Sequence, residues 1–239
     1  MKKAIPNLVT LLNLFFGCCA IVGVLYGDPP AVMVCYLLAG LMDFADGFVA
    51  RALGVSSPVG KELDSLADMV SFGVVPGMIF FFMLGGNAST LAFDRGGTDL
   101  FPFLGFIFSM AACYRLAKFN LDTRQTLDFI GMNTPTATGF VIGLLLIGYH
   151  DTFGWGTYVT QPLFLLACLA LFSWLMISEI PMFSGKFRPG GWRANWMRYV
   201  FLVLIVLEII FLGYAFFAIG VFTYLLLSFI AYFTEKKPV

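Results

Sequence analysis

The chain has 239 residues, of which 60% are hydrophobic and 12% charged. A soluble domain carries about 25% charged residues, so most of this mass is expected inside a bilayer and no separate soluble domain is visible. The 14 Lys and Arg balance the 14 Asp and Glu, so overall charge gives no argument for nucleic acid, and none is expected as a partner.

Crossing the hydrocarbon takes roughly 20 apolar residues. In chain order the candidate spans are 8–26, 31–51, 62–84, 100–121, 135–150, 161–179, 197–215 and 217–234. The opening Met1-Lys2-Lys3-Ala4-Ile5-Pro6-Asn7 has the charge of a signal peptide but no small-x-small cleavage site after its apolar run, and reads as a retained first span. From Arg198 to Phe233 the chain is apolar apart from Glu208. As one helix that stretch would reach about 54 Å, too long for one crossing, so a break is expected between Gly213 and Gly220. Glu208 is expected to pair with a polar group on another span. The fold class is an all-α polytopic membrane protein, a bundle of about eight transmembrane helices, with six or seven as the alternative counts. It forms one membrane-embedded domain, 1–239.

The positive charges orient the bundle. With the N-terminus inside, the inner segments hold 13 of the 14 Lys and Arg, and only Arg95 falls outside. Both termini are then cytoplasmic, in the cell inner (plasma) membrane. The loop from Lys186 to Arg198 carries inner positive charge and is expected to gather anionic lipid headgroups without a catalytic role. Trp192 and Trp196 suit the cytoplasmic interface. Cys18, Cys19, Cys35, Cys113 and Cys168 all sit in apolar runs and read as small hydrophobes, not as a disulfide framework or zinc site. His150, the single histidine, lies at the outer end of the fifth span and reads as a solvated loop residue.

Four aspartates break the apolar pattern. Asp43 and Asp46 are three apart and Asp64 and Asp68 four apart, so each pair shares a helix face. A lone carboxylate at membrane depth costs several kcal/mol or neutralises. Pairing with Arg51 and Lys61 leaves two carboxylates unmatched. A pair of divalent metal ions answers the whole set, and metals held by carboxylates suit phosphoryl chemistry. Gly47 and Ala50 follow Asp43 by four and seven, so a stripe of small residues leaves a groove for a flat base or a diphosphate. Arg51 can reach phosphate oxygens, and Gly60 removes bulk from the pocket wall. A cation transporter is the reading from another class; it would favour carboxylates at the midplane and inverted repeats, neither of which is evident.

The pattern Asp43-x2-Asp46-Gly47-x2-Ala50-Arg51-x8-Gly60-x3-Asp64-x3-Asp68 resembles the signature of the CDP-alcohol phosphatidyltransferase family at every fixed position. The resemblance extends over about residues 5–140, including Ile5-Pro6-Asn7 through Thr10 to Asn13. It implies transfer of a phosphatidyl or similar group from a CDP-linked donor to an alcohol, with release of CMP. It implies that Asp43, Asp46 and Asp64 bind divalent metal, Mg²⁺ or Mn²⁺, and that Asp68 completes the metal site and acts as general base. Residues 1–150 would form the catalytic core and 151–239 additional C-terminal helices. Asn7 and Thr10 are expected at the nucleotide or diphosphate, with a plain helix cap as the alternative.

The run Asp64-Ser-Leu-Ala-Asp-x2-Ser71-Phe72-Gly73, with Arg115-Leu-Ala-Lys118-Phe119-Asn120 later, resembles the multi-span branch of the family that uses L-serine as acceptor. CDP-diacylglycerol and L-serine are then the expected substrates. The serine carboxylate calls for Lys or Arg, and Lys61, Arg115 and Lys118 lie at the expected face, with Ser71 and Asn120 as polar contacts. Glycerol phosphate or inositol phosphate are the alternative acceptors. Met132-Asn133 departs from the proline common in this branch before Thr134-Pro135, which bears on loop geometry alone. Gly139 and Gly143, four apart, permit close helix packing, and a homodimer surrounded by membrane lipids is the expected assembly.

Overall fold

The computed structural model describes residues 4–85, 100–122, 129–182 and 191–234. Lys2, Lys3, Arg95, Arg124, Lys186, Arg188, Lys236 and Lys237, and the side chains of Trp192 and Arg193, lie outside the described residues.

The first two helices, α1 (Ala4–Tyr26) and α2 (Pro29–Ala52), form a hairpin. Gly27 turns the chain at φ +66°. Asp28 caps α2 by accepting from the Ala31 N–H at 3.0 Å, with proline in the first helical turn, where its missing N–H costs nothing. Ser57 caps α3 (Pro58–Met69) in the same way, accepting from the Gly60 N–H at 2.9 Å.

α3 runs through a π-helical turn, Val70–Val74, into α4 (Val75–Met83), making one rod of 26 residues. Pro76 has no N–H, so it cannot be the donor to the Phe72 carbonyl one turn earlier. The Thr138 hydroxyl supplies one at 2.9 Å, and Ser109 donates to the neighbouring Gly73 carbonyl at 2.8 Å.

α5 (Phe106–Leu121) follows a 3₁₀ turn at Phe101–Gly105. A two-residue strand, β1 (Phe129–Ile130), pairs antiparallel with β2 (Pro181–Met182). Between them run α6 (Thr134–His150), the short α7 (Gly156–Val159) and α8 (Pro162–Ile177). The final pair is α9 (Gly191–Leu212) and α10 (Phe216–Thr234).

The break expected after residue 213 is present. Gly213 adopts φ +51° and a 3₁₀ turn spans Gly213–Ala215. α10 folds back on α9: Phe201 meets Tyr224 at 6.1 Å between ring centroids, and Thr223 donates to Glu208. Glu208 therefore finds its polar partner on another span. With α3 and α4 counted as one rod, the described residues form eight helical segments of 16 residues or more, four helical stretches among them (Ala4–Tyr26, Pro29–Ala52, Pro58–Met83 and Asn195–Ala231) are long and apolar enough to cross a membrane, and the chain is an all-α polytopic membrane protein.

α6 is the centre of the packing. Phe140 stacks on Phe172 of α8 at 4.0 Å and meets Phe222 of α10 edge-on at 5.5 Å. Gly143 allows α10 to approach, since a Cβ there would stand 2.5 Å from the Ala218 nitrogen. Gly139 makes room for the Tyr36 hydroxyl of α2, which donates to the Pro135 carbonyl at 3.1 Å. The small residues of α6 are thus used inside the bundle and do not argue for a homodimer. His150 is exposed, as expected of a solvated position, and its ring stacks flat on Tyr214 at 4.3 Å between centroids.

Candidate active site

The aspartates come from the C-terminal part of α2 and from α3. Oxygen atoms of Asp43, Asp64 and Asp68 lie within 4.8 Å of one another. Three carboxylates so close in a half-buried setting repel each other strongly in low dielectric, so the arrangement calls for cations. The donor set is all oxygen, which fits a hard divalent ion such as Mg²⁺ or Mn²⁺ and not a thiolate metal. Asp46, 7% exposed, lies outside that group of three, and its Oδ2 accepts from the Thr10 hydroxyl at 2.6 Å.

An open cleft of ≈ 200 Å³ adjoins the carboxylates. It is walled by α1, the end of α2 and the start of α3. Of the residues singled out in the sequence, Asn7, Thr10, Asp46, Gly47, Ala50, Gly60, Lys61 and Asp64 line it. The two glycines are there for space. A Cβ on Gly60 would stand 3.1 Å from Asn7 Oδ1, and one on Gly47 would stand 3.3 Å from Arg51 Nη1. Arg51 therefore folds its guanidinium back over Gly47, at the rim of the cleft.

The residues expected at the acceptor divide. Lys61 donates to the Asn120 carbonyl at 2.8 Å, and Asn120 Nδ2 donates to Ser65 Oγ at 2.7 Å, tying α3 to α5 at the mouth. Arg115 is buried, with its guanidinium 4.9 Å from the Phe119 ring centroid and Nη1 donating to Thr134 Oγ1 over a long 3.5 Å. Asp68 is within its electrostatic reach. Ser71 is buried in the π turn, and its hydroxyl donates to the Asn13 carbonyl at 3.1 Å. Lys118 pairs with Glu179 at 3.0 Å.

Asn13, named in the sequence only as part of the family resemblance and given no role there, donates its Nδ2 to Asp68 Oδ1 at 3.0 Å. Its signal was present: a polar side chain in an apolar helix, three residues after Thr10 and so on the same face. Thr134 and Glu179 likewise have no role in the sequence reading, because nothing local ties them to α5.

Fold and site together define a polytopic membrane protein with a carboxylate cluster opening on a polar cleft. The sequence model of the CDP-alcohol phosphatidyltransferase family matches residues 3–185, and the chain belongs to that family. It is an enzyme, and the family's chemistry depends on divalent metal. Among curated relatives, a CDP-diacylglycerol–serine O-phosphatidyltransferase of Helicobacter pylori is 32% identical over 212 residues, 86% of this chain and 81% of the relative. One of the same name from Bacillus subtilis is 32% identical over 180 residues, 74% of this chain and 88% of the relative. An archaetidylserine synthase of Methanothermobacter thermautotrophicus is 30% identical over 150 residues, 62% of this chain and 60% of the relative. Family membership removes the cation-transporter alternative.

Proposed function

We propose that the chain transfers the phosphatidyl group of CDP-diacylglycerol to the hydroxyl of L-serine, releasing CMP and forming phosphatidylserine. The observation that carries the reading is the convergence of Asp43, Asp64 and Asp68 beside a polar cleft, in a chain of a family with CDP-linked donors. The acceptor is supported by the relatives, whose three names all specify serine.

The cytidine diphosphate occupies the cleft. Gly47, Ala50 and Gly60 keep its floor low, Asn7 and Thr10 offer polar atoms, and Arg51 meets phosphate oxygens from the rim. Asp43, Asp46, Asp64 and Asp68 would hold two Mg²⁺ or Mn²⁺ ions, which would supply positive charge against the diphosphate and the departing CMP. Asp68 takes the proton of the serine hydroxyl as the serine oxygen bonds to the phosphorus next to diacylglycerol. The bond from that phosphorus to the CMP oxygen breaks, and CMP leaves with the electron pair.

The serine carboxylate falls to Arg115, a cation buried within electrostatic reach of Asp68, with Lys61 at the mouth. Ser71, Lys118 and Asn120 act here through the walls: Ser71 ties to α1, Lys118 to Glu179, and Asn120 orients Lys61. The cleft opens at the cytoplasmic face of the cell inner membrane, a placement supported by the distribution of Lys and Arg.

The test is CMP release by purified protein in detergent with CDP-diacylglycerol, Mg²⁺ or Mn²⁺, and L-serine, glycerol 3-phosphate or inositol phosphate in parallel. Serine-dependent release that disappears in Asp68→Asn is the expected result. Release with a phosphate-bearing alcohol alone would keep the family and overturn the acceptor.

A further inference from the structure

Asn13 reaches the proposed base from α1. It is fully buried, at 0% exposure, in an otherwise apolar helix. Its Nδ2 donates to Asp68 Oδ1 at 3.0 Å, while its Oδ1 is buried without a hydrogen-bond partner. The amide is half satisfied, and a half-satisfied buried amide is destabilising relative to an apolar side chain of similar size. Stability alone gives no reason for an asparagine here; the bond to Asp68 does.

The surroundings hold Asn13 in place. Its backbone carbonyl accepts a second hydrogen bond, from the Ser71 hydroxyl at 3.1 Å, beside the bond it makes within α1. Ser71 fits against α1 because Gly17, one turn on, has no side chain: a Cβ there would stand 2.3 Å from Ser71 Oγ. One turn earlier on the same face, Thr10 holds Asp46 at 2.6 Å. α1 thereby grips one carboxylate from each half of the acidic motif, Asp46 of α2 through Thr10 and Asp68 of α3 through Asn13.

We propose that Asn13 is a positioning residue, its amide nitrogen fixing the rotation of the Asp68 carboxylate relative to Asp43 and Asp64, with Ser71 and Gly17 holding Asn13 itself. The inference rests on the reading of Asp68 as base. A carboxylate free to rotate spends less time in reactive geometry, and small misplacements of a reacting group cost up to about 100-fold in rate.

The experiment measures kcat, both KM values and thermal unfolding in detergent for the parent, Asn13→Leu, Ser71→Ala and Asp68→Asn. Asn13→Leu is expected to lose about 10- to 100-fold in kcat, with both KM values near the parent's and an unfolding temperature unchanged or raised. Ser71→Ala is expected to lose less kcat with serine KM unchanged. Parental kcat in Asn13→Leu overturns the proposal, and so does a loss confined to KM. If Asn13→Leu does not fold, Ser71→Ala decides: a kcat loss at constant serine KM supports positioning, and a raised serine KM or a parental kcat overturns it. An active Asp68→Asn would remove the base assignment itself. An inactive Asp68→Asn beside a fully active Asn13→Leu would remove this inference alone.

Discussion

Arg115 and Lys118 stand three residues apart on α5 and have different surroundings. Arg115 is buried against Phe119 and Thr134. Lys118 is 32% exposed and meets a Glu179 that is 62% exposed. Exposed pairs of this kind contribute about 0–1 kcal/mol, because solvent screens the charges and two long side chains lose freedom. Lys118→Ala is therefore expected to lower stability by less than about 1 kcal/mol and to leave serine KM near the parent value. Steady-state kinetics check this, and a tenfold rise in serine KM would put Lys118 in the pocket. The spacing of the two residues is that of one helical face, so only their exposure separates a buried cation from a surface pair.

At the scale of elements, α6 is the helix on which the others lean. Its glycines admit Tyr36 on one side and Ala218 on the other, and its Thr138 donates to the Phe72 carbonyl of the α3–α4 rod, which Pro76 cannot do. The π turn begins two residues after Asp68, so the same irregularity that Thr138 and Ser109 bond to also sets where Ser71 meets α1. At Gly143 a methyl group would press on the Ala218 backbone. Overpacking a tight helix contact costs about 1–3 kcal/mol, and here the obstacle is backbone, which cannot rotate away. Gly143→Ala is expected to lower the unfolding temperature in detergent. An unchanged temperature would mean that α10 does not seat against α6 at this point.

For the whole molecule, the site lies where three elements end together: the start of α1, the end of α2 and the start of α3. Each contributes part of an arrangement that none holds alone, and the concentration of negative charge makes the cluster a place of net repulsion until a cation binds. A ligand that binds only the folded form stabilises it, by about 2.7 kcal/mol at a hundred times its dissociation constant. Millimolar Mn²⁺ is expected to raise the unfolding temperature of the parent, and Asp64→Asn to reduce that rise. Equal shifts in parent and variant would place the ion elsewhere.

How much was legible in advance differs between helix and site. Spans and breaks follow from local chemistry. A 36-residue apolar run must fold back, and Gly213 supplies the turn. The acidic motif was legible because carboxylates are costly in lipid and their spacing fixes a common face. Only the tertiary structure decided which side chains meet across helices. It bonded Asp46 to Thr10, turned Ser71 toward α1, paired Lys118 with Glu179, and brought Asn13 to Asp68 across 55 residues of chain. Those meetings depend on how far each helix is rotated about its axis and how closely glycines let helices approach. Neither is encoded in the period of a single helix; both are set by packing among several.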